Sequence, residues 1–137
     1  MVVEGGCFCG KVRFSSASPP ITSRMCWCRD CQYLAAGSAT VNLIFQAEGF
    51  AISGETTDYV STADSGNVMH RRFCPACGTP LFSQSQARPH LIIARGGTLD
   101  DAELARPQAV IWSASAPVWA CIDPALPATE GQPPPAA

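Results

Sequence analysis

Seven of the eight cysteines in this 137-residue chain fall into tight groups: Cys7-x-Cys9, Cys26-x-Cys28-x-x-Cys31 and Cys74-x-x-Cys77, with Cys121 alone. C-x-x-C spacing puts two thiolates on one turn, where both reach an ion about 2.3 Å away, as a tetrahedral site requires. A disulfide framework would scatter its half-cystines to close longer loops, and it belongs to exported chains. The start Met1-Val-Val-Glu-Gly-Gly has neither the basic segment nor the apolar core of a secretory signal. A redox C-x-x-C is a lesser alternative. Zinc is the expected ion, because soft thiolates suit it and it carries no redox liability.

Seven ligands do not fill two all-thiolate tetrahedra, and Cys121 lies far along the chain. One closed site and one open site divide them better. Cys7, Cys9, Cys74 and Cys77 make a complete structural tetrahedron that ties the N-terminus to the middle of the chain. Cys26, Cys28 and Cys31 form a three-thiolate site with a vacant position, the pattern of a working zinc. Spacing alone also permits swapped pairings. Ionising seven thiols and binding two zinc ions takes the formal charge from −2 to about −5, so nearby cations should offset part of it. Lys11, Arg29, Arg71 and Arg72 adjoin the cysteine groups in sequence, and Arg29 is placed beside the open zinc.

The elements that must hold these groups read as short strands. Val12 and Phe14 alternate with Lys11 and Arg13; Val41, Leu43 and Phe45 keep the period of two, as do Phe50 and Ile52. Segments 68–73, 81–82 and 91–94 continue the series, with Gly5-Gly6, Gly54, Gly66, Gly78 and Gly96-Gly97 as punctuation. Helix is expected only at 29–36, carrying Cys31, and over one or two turns at 99–105 behind Thr98 or Asp100. The domain is expected to span 1–123. Segment 124–137, with five Pro and four Ala, is expected as an extended tail outside the core.

Other classes recede on composition. Nine Lys and Arg against eleven Asp and Glu argue against a nucleic-acid partner. No run of 18 apolar residues occurs, so no membrane-spanning helix is expected and the chain is placed in the cytoplasm. Among single residues, Trp27 between two ligands and Tyr33 two past a third are candidates for the substrate pocket. His70 and His90 read as strand-face and turn residues, Asp100 and Asp101 as helix caps, and Cys121 as a small buried hydrophobe.

Several motifs, in order, resemble one known family. Gly6-Cys7-Phe8-Cys9-Gly10-Lys11-Val12-Arg13-Phe14, Cys26-x-Cys28-x-x-Cys31 with Gly37-Ser38-Ala39, Arg72-Phe73-Cys74-x-x-Cys77-Gly78 and Gly97-Thr98-Leu99-Asp100-Asp101 are similar to signatures of the glutathione-dependent formaldehyde-activating (Gfa/CENP-V-like) family. Pro107, Trp112 and Trp119 fall where that family often carries its closing Pro and aromatics, so the resemblance spans roughly 4–120. It implies a mainly β fold, antiparallel sheets around zinc in the "β-tent" arrangement. It also implies two zinc ions per chain, with the same division into four structural ligands and three working ones. Trp27 stands where members often have His, and Gln32-Tyr33-Leu34 replaces a more basic stretch; both changes make the expected pocket more apolar.

The activity the resemblance implies is the joining of glutathione to formaldehyde, formally carbon–sulfur lyase chemistry in reverse. An open zinc can hold a thiol as thiolate near neutral pH. Three thiolate ligands leave the site with net negative charge and weaken zinc as a Lewis acid, so thiol delivery suits it better than water activation. The expected partner is a small thiol–aldehyde adduct. The alternative is a non-catalytic zinc module that binds a protein or small molecule, in which a fourth protein ligand would close the second site.

Overall fold

A computed structural model describes residues 2–136. Ten strands are ordered along the chain: β1 (Val3–Gly6), β2 (Arg13–Ser16), β3 (Thr22–Cys26), β4 (Thr40–Gln46), β5 (Phe50–Ser53), β6 (Thr57–Thr62), β7 (Val68–Phe73), β8 (Pro80–Ser85), β9 (Leu91–Arg95) and β10 (Ala109–Ile111). A single α-helix among the described residues, α1 (Arg29–Leu34), follows β3. The strands form a three-stranded sheet, β1-β2-β5, and a seven-stranded sheet, β10-β3-β4-β9-β8-β7-β6. Every pairing is antiparallel except β10 with β3. The fold is mainly β, as the alternation of Val12/Phe14 and Leu43/Phe45 leads one to expect.

The two-residue period of a strand decides what each face of the large sheet carries. On one face Leu43 and Phe45 of β4, Ile92 and Ala94 of β9 and Phe82 of β8 are buried in one core with Val3 and Phe14 of the small sheet and Val12 just before β2. Phe82 meets Phe14 edge-on at 5.3 Å and Phe50 at 5.7 Å, while Phe14 stacks on Phe50 at 5.4 Å. Such aromatic contacts add roughly 0.5–1.5 kcal/mol each beyond their burial. The intervening residues, Asn42 and Ile44, Ile93 and Arg95, Ser83 and Ser85, point the other way and face a cavity. The core therefore sits between the sheets, and the cavity lies behind the larger one.

Glycines permit the tightest joins. Gly54 has φ of +96° and a Cβ there would stand 2.2 Å from the Lys11 carbonyl oxygen. Only glycine lets the exit of β5 lie this close to the entry of β2.

Two sequence expectations change here. The expected helix at 99–105 is one 3₁₀ turn, Ala102–Ala105, with another before it at Gly96–Thr98, and the capping side chain is Asp101, accepting from the Glu103 N–H at 3.1 Å. Asp100 instead takes a two-pronged ion pair from Arg13, at 3.0 and 2.5 Å, and this lies well below the usual carboxylate range in pKa. Segment 124–136 is extended but does not stand away from the domain. The Val110 N–H donates to Pro127 O at 2.9 Å, and the Thr129 N–H returns a bond to Val110 O at 2.9 Å. Leu126 packs in a cluster with Trp27 and Val110.

Candidate metal centre

The first cysteine group is assembled from two strand-to-strand turns. Cys7 leaves β1, its N–H donating to Val12 O at 3.0 Å, and the Gly10 N–H donates back to Cys7 O at 3.1 Å. Gly10 takes a left-handed φ of +81°, which lets the chain double back with Cys9 on the inside of the turn. Across from it, the β7–β8 turn closes through the Gly78 N–H on Cys74 O at 2.8 Å. A bond from the Phe8 N–H to the Thr79 hydroxyl, 3.1 Å, fastens one turn to the other.

All four Sγ atoms of Cys7, Cys9, Cys74 and Cys77 lie within 4.8 Å of one another. Cys7 and Cys9 are 3.5 Å apart and Cys9 and Cys74 3.8 Å. Ligands 2.3 Å from a tetrahedral zinc stand about 3.8 Å from each other, so the group fits that ion. These separations are far longer than a disulfide bond, and every cysteine in the structure is free. The Thr79 hydroxyl and backbone hold the Cys77 thiol down to about 5, so this ligand is ready as thiolate.

Cys26 ends β3, Cys28 is the N-cap of α1 and Cys31 lies in its first turn. The Cys28 sulfur accepts the Cys31 N–H at 3.3 Å, doing for the helix start what a Ser or Asp oxygen does elsewhere. The three Sγ atoms again lie within 4.8 Å of one another, and among the described residues no fourth His, Cys, Asp or Glu joins them. Hydrogen bonds from the Cys26 and Cys28 thiols hold Cys31 down to about 2, while the same sharing pushes Cys26 up. The donor set is compatible with zinc, and it is incomplete on one side.

That side opens on a cavity of about 390 Å³. Four arginines, Arg24, Arg71, Arg88 and Arg95, and one carboxylate, Asp64, face it. Arg95 is 9% exposed, and burial pushes its guanidinium below the ordinary range against the pull of Cys31. It donates to the Asn42 carbonyl oxygen, and Asn42 in turn donates to the Thr40 hydroxyl at 3.0 Å. Arg71 donates to Ser61 at 2.8 Å and lies 3.7 Å from Asp30. The Nε atoms of Arg71 and Arg95 and the Ser85 hydroxyl are buried without a hydrogen-bond partner among the described residues. Trp27 Nε1, away from the cavity, is a fourth such donor, and buried donors left unmet are costly.

The residues expected to shape the pocket do not reach this cavity. Trp27 is 2% exposed and turned into the cluster of Ala39 and Val110, edge-on to Trp119 at 6.5 Å. Extended backbone sends successive side chains to opposite sides, so bringing Cys26 and Cys28 together turns Trp27 away. Arg29 donates to Gln32 Oε1 at 2.5 Å and lies over the Tyr33 ring, while Tyr33 is 79% exposed. The cavity that the cysteines do meet has apolar walls, Ile44, Leu91, Ile93 and Ile111 among them, and carries four arginines against one carboxylate. Cys121 is exposed, not buried, and joins neither group. His70, on β7, bonds Asp58 of the edge strand β6 at 2.6 Å and Gln86 at 3.2 Å, and His90 joins neither cysteine group.

Comparison with known proteins agrees with this architecture. Residues 2–115 match the family described as "Glutathione-dependent formaldehyde-activating enzyme". A protein of Halomonas elongata named "Putative glutathione-dependent formaldehyde-activating enzyme" is 30% identical over 112 residues, covering 78% of this chain and 71% of that protein. A crystal structure of a Rhodobacter sphaeroides protein superposes with a TM-score of 0.54 at 17% identity, covering 71% of this chain and 87% of the other, and so shares the fold.

Proposed function

Because the chain belongs to the glutathione-dependent formaldehyde-activating enzyme family, we propose that it makes and breaks the carbon–sulfur bond between a small anionic thiol of the glutathione type and formaldehyde. The work is assigned to the Cys26, Cys28 and Cys31 group and the basic cavity above it. What carries this assignment is the juxtaposition of a three-sulfur set with four arginine side chains lining one cavity. In the forward direction the thiol sulfur bonds to the aldehyde carbon, the carbonyl π pair moves to oxygen, and the thiol proton ends on that oxygen. The reverse step restores thiol and aldehyde.

Cys26, Cys28 and Cys31 would hold the second zinc, and Cys7, Cys9, Cys74 and Cys77 the first. Bound at the second group, zinc supplies a place where a substrate thiol is held as thiolate near neutral pH. The protein's own residues do the rest. Arg71 and Arg24 offer guanidinium forks to the carboxylates of a peptide-like thiol, which they can bind two-pronged. Arg95, buried behind Asn42, offsets the negative charge that three thiolates and one divalent ion leave at the site. Ser85 has a hydroxyl free to donate to an oxygen developing charge. Ile44 and Ile93 between these groups displace water, which strengthens each polar contact.

The rival, a zinc module that only binds a partner, requires a fourth protein ligand at the second group, and none joins it among the described residues. Clustered free thiols persist in a reducing compartment, so the proposed place of action is the cytoplasm. The test is exchange NMR with ¹³C-formaldehyde and glutathione. Two-zinc protein at micromolar concentration should speed interconversion of free and S-hydroxymethyl forms well beyond the uncatalysed rate. Exchange at the uncatalysed rate with both ions loaded would refute the proposal.

A further inference from the structure

The family match ends at residue 115, yet the cavity does not. Gln132, Pro133, Pro135 and Ala136 form part of its wall, facing Cys28 and Arg71 across the same space. We infer that segment 124–136 is a strap that sets the size of the thiol this chain admits to the Cys26–Cys28–Cys31 group. This rests on the assignment of that group as the working site.

Three observations support the inference. The strap is held by specific bonds, not by loose packing. Beyond its ladder with Val110, the Trp112 N–H donates to Gly131 O at 3.2 Å and the Ser113 N–H to Thr129 O at 3.1 Å. The Trp112 indole N–H donates to Gln132 Oε1 at 3.0 Å, and Arg88 donates to Ala136 O. Trp112 itself has φ of +55°, which a bulky side chain rarely adopts. Strain of that kind persists where surrounding contacts over-determine it. The same residue packs against the cluster of Cys26, Cys31 and Ile111, as Cys28 does, so the clamp on the strap also touches the cysteine group. Finally, the strap's prolines pre-set an extended backbone that gives up little freedom on docking.

The strap thus walls one side of the cavity, held at the cavity's edge by the Trp112–Gln132 and Arg88–Ala136 bonds. A small thiol enters with the strap in place, whereas a bulky one needs it displaced. The test is thiol labelling of the full-length protein with N-ethylmaleimide and with the larger fluorescein-5-maleimide. Peptide mapping reads Cys28, and exposed Cys121 serves as the internal reference. Loss of one hydrogen bond should raise the bulky-to-small labelling ratio at Cys28 about three- to tenfold in Trp112→Phe and in Gln132→Ala. Gln132 is exposed, so its variant folds as the parent does. A ratio that does not move in either variant, including no labelling of Cys28 in any of the three proteins, overturns the strap. Native mass spectrometry of the same samples judges the underlying assignment separately. One zinc per chain would remove the second metal while leaving the labelling result to stand or fall alone.

Discussion

Arg71→Met removes a cation from the cavity while keeping much of the apolar stem. In the folded protein Arg71 gives up one bond to Ser61 at 2.8 Å and a 3.7 Å approach to Asp30, whose side chain is 39% exposed. The first costs about 1 kcal/mol and the second well under 1 kcal/mol, so the variant should stay folded with both zinc sites intact. Its guanidinium lines the cavity and is the cation offered to substrate. A charge-assisted hydrogen bond contributes roughly 1.5–3 kcal/mol, and each 1.4 kcal/mol is about tenfold in affinity. Glutathione should therefore bind about 10- to 100-fold more weakly, read by calorimetric titration, with KM in the formaldehyde exchange rising to match. Cysteamine, which lacks carboxylates, should be affected little. Arg106→Met, on an exposed surface pair with Glu103, serves as the charge control. Unchanged glutathione affinity in Arg71→Met at full zinc content would refute the idea that the cavity reads negative charge.

Two further outcomes concern the scaffold. Gly54→Ala must place a methyl 2.2 Å from the Lys11 carbonyl oxygen at a positive φ, whereas Gly66, also at positive φ, has nothing within 4 Å. Chemical denaturation should show Gly66→Ala losing about 1–2 kcal/mol and Gly54→Ala distinctly more; equal losses would mean that the β2–β5 join is not tight. Asp58 raises the His70 pKa above its ordinary 6.5, with Gln86 adding to it. A raised folded-state pKa means that the pair's stabilisation is full below 6.5 and is lost as pH rises through the folded value. A proton NMR titration should place the His70 midpoint above 6.5 and return it towards that value in Asp58→Asn.

The metal groups were legible because spacing of cysteines is a local property. Cys74-x-x-Cys77 closes a turn whichever strands flank it, and the alternation around Leu43 and Phe45 identifies a half-buried strand without knowledge of its neighbours. The cavity was not legible, because its wall is a matter of register. Arg24, Arg71 and Arg95 lie on three strands and meet only when β3, β4, β9, β8 and β7 pair in that order. One signal was present and overlooked: in β9, Arg95 shares a face with Leu91, so a charge is committed to the same side as a buried apolar residue. The period of two also forbade Trp27 from sharing a side with Cys26 and Cys28. That segment 124–136 lies along the domain was not legible, because proline content reports an extended backbone, not whether a sheet edge is free to receive it. Val110 supplies that edge, and nothing in the composition of the tail announces it.

One closed site that holds the fold and one open site that does the chemistry make different demands on single ligands. Zinc counting by native mass spectrometry, paired with circular dichroism, in Cys28→Ser and Cys77→Ser compares them directly. Structural zinc contributes its binding free energy to folding, and the Cys77 turn joins β7 to β8 beneath the core. Cys77→Ser should lose the β-sheet signal or its cooperative melt. Cys28→Ser should keep both, retain one zinc per chain and lose formaldehyde exchange. A Cys28→Ser protein that unfolds or sheds both ions, or a Cys77→Ser protein that stays folded with full exchange activity, would contradict the division of four ligands from three.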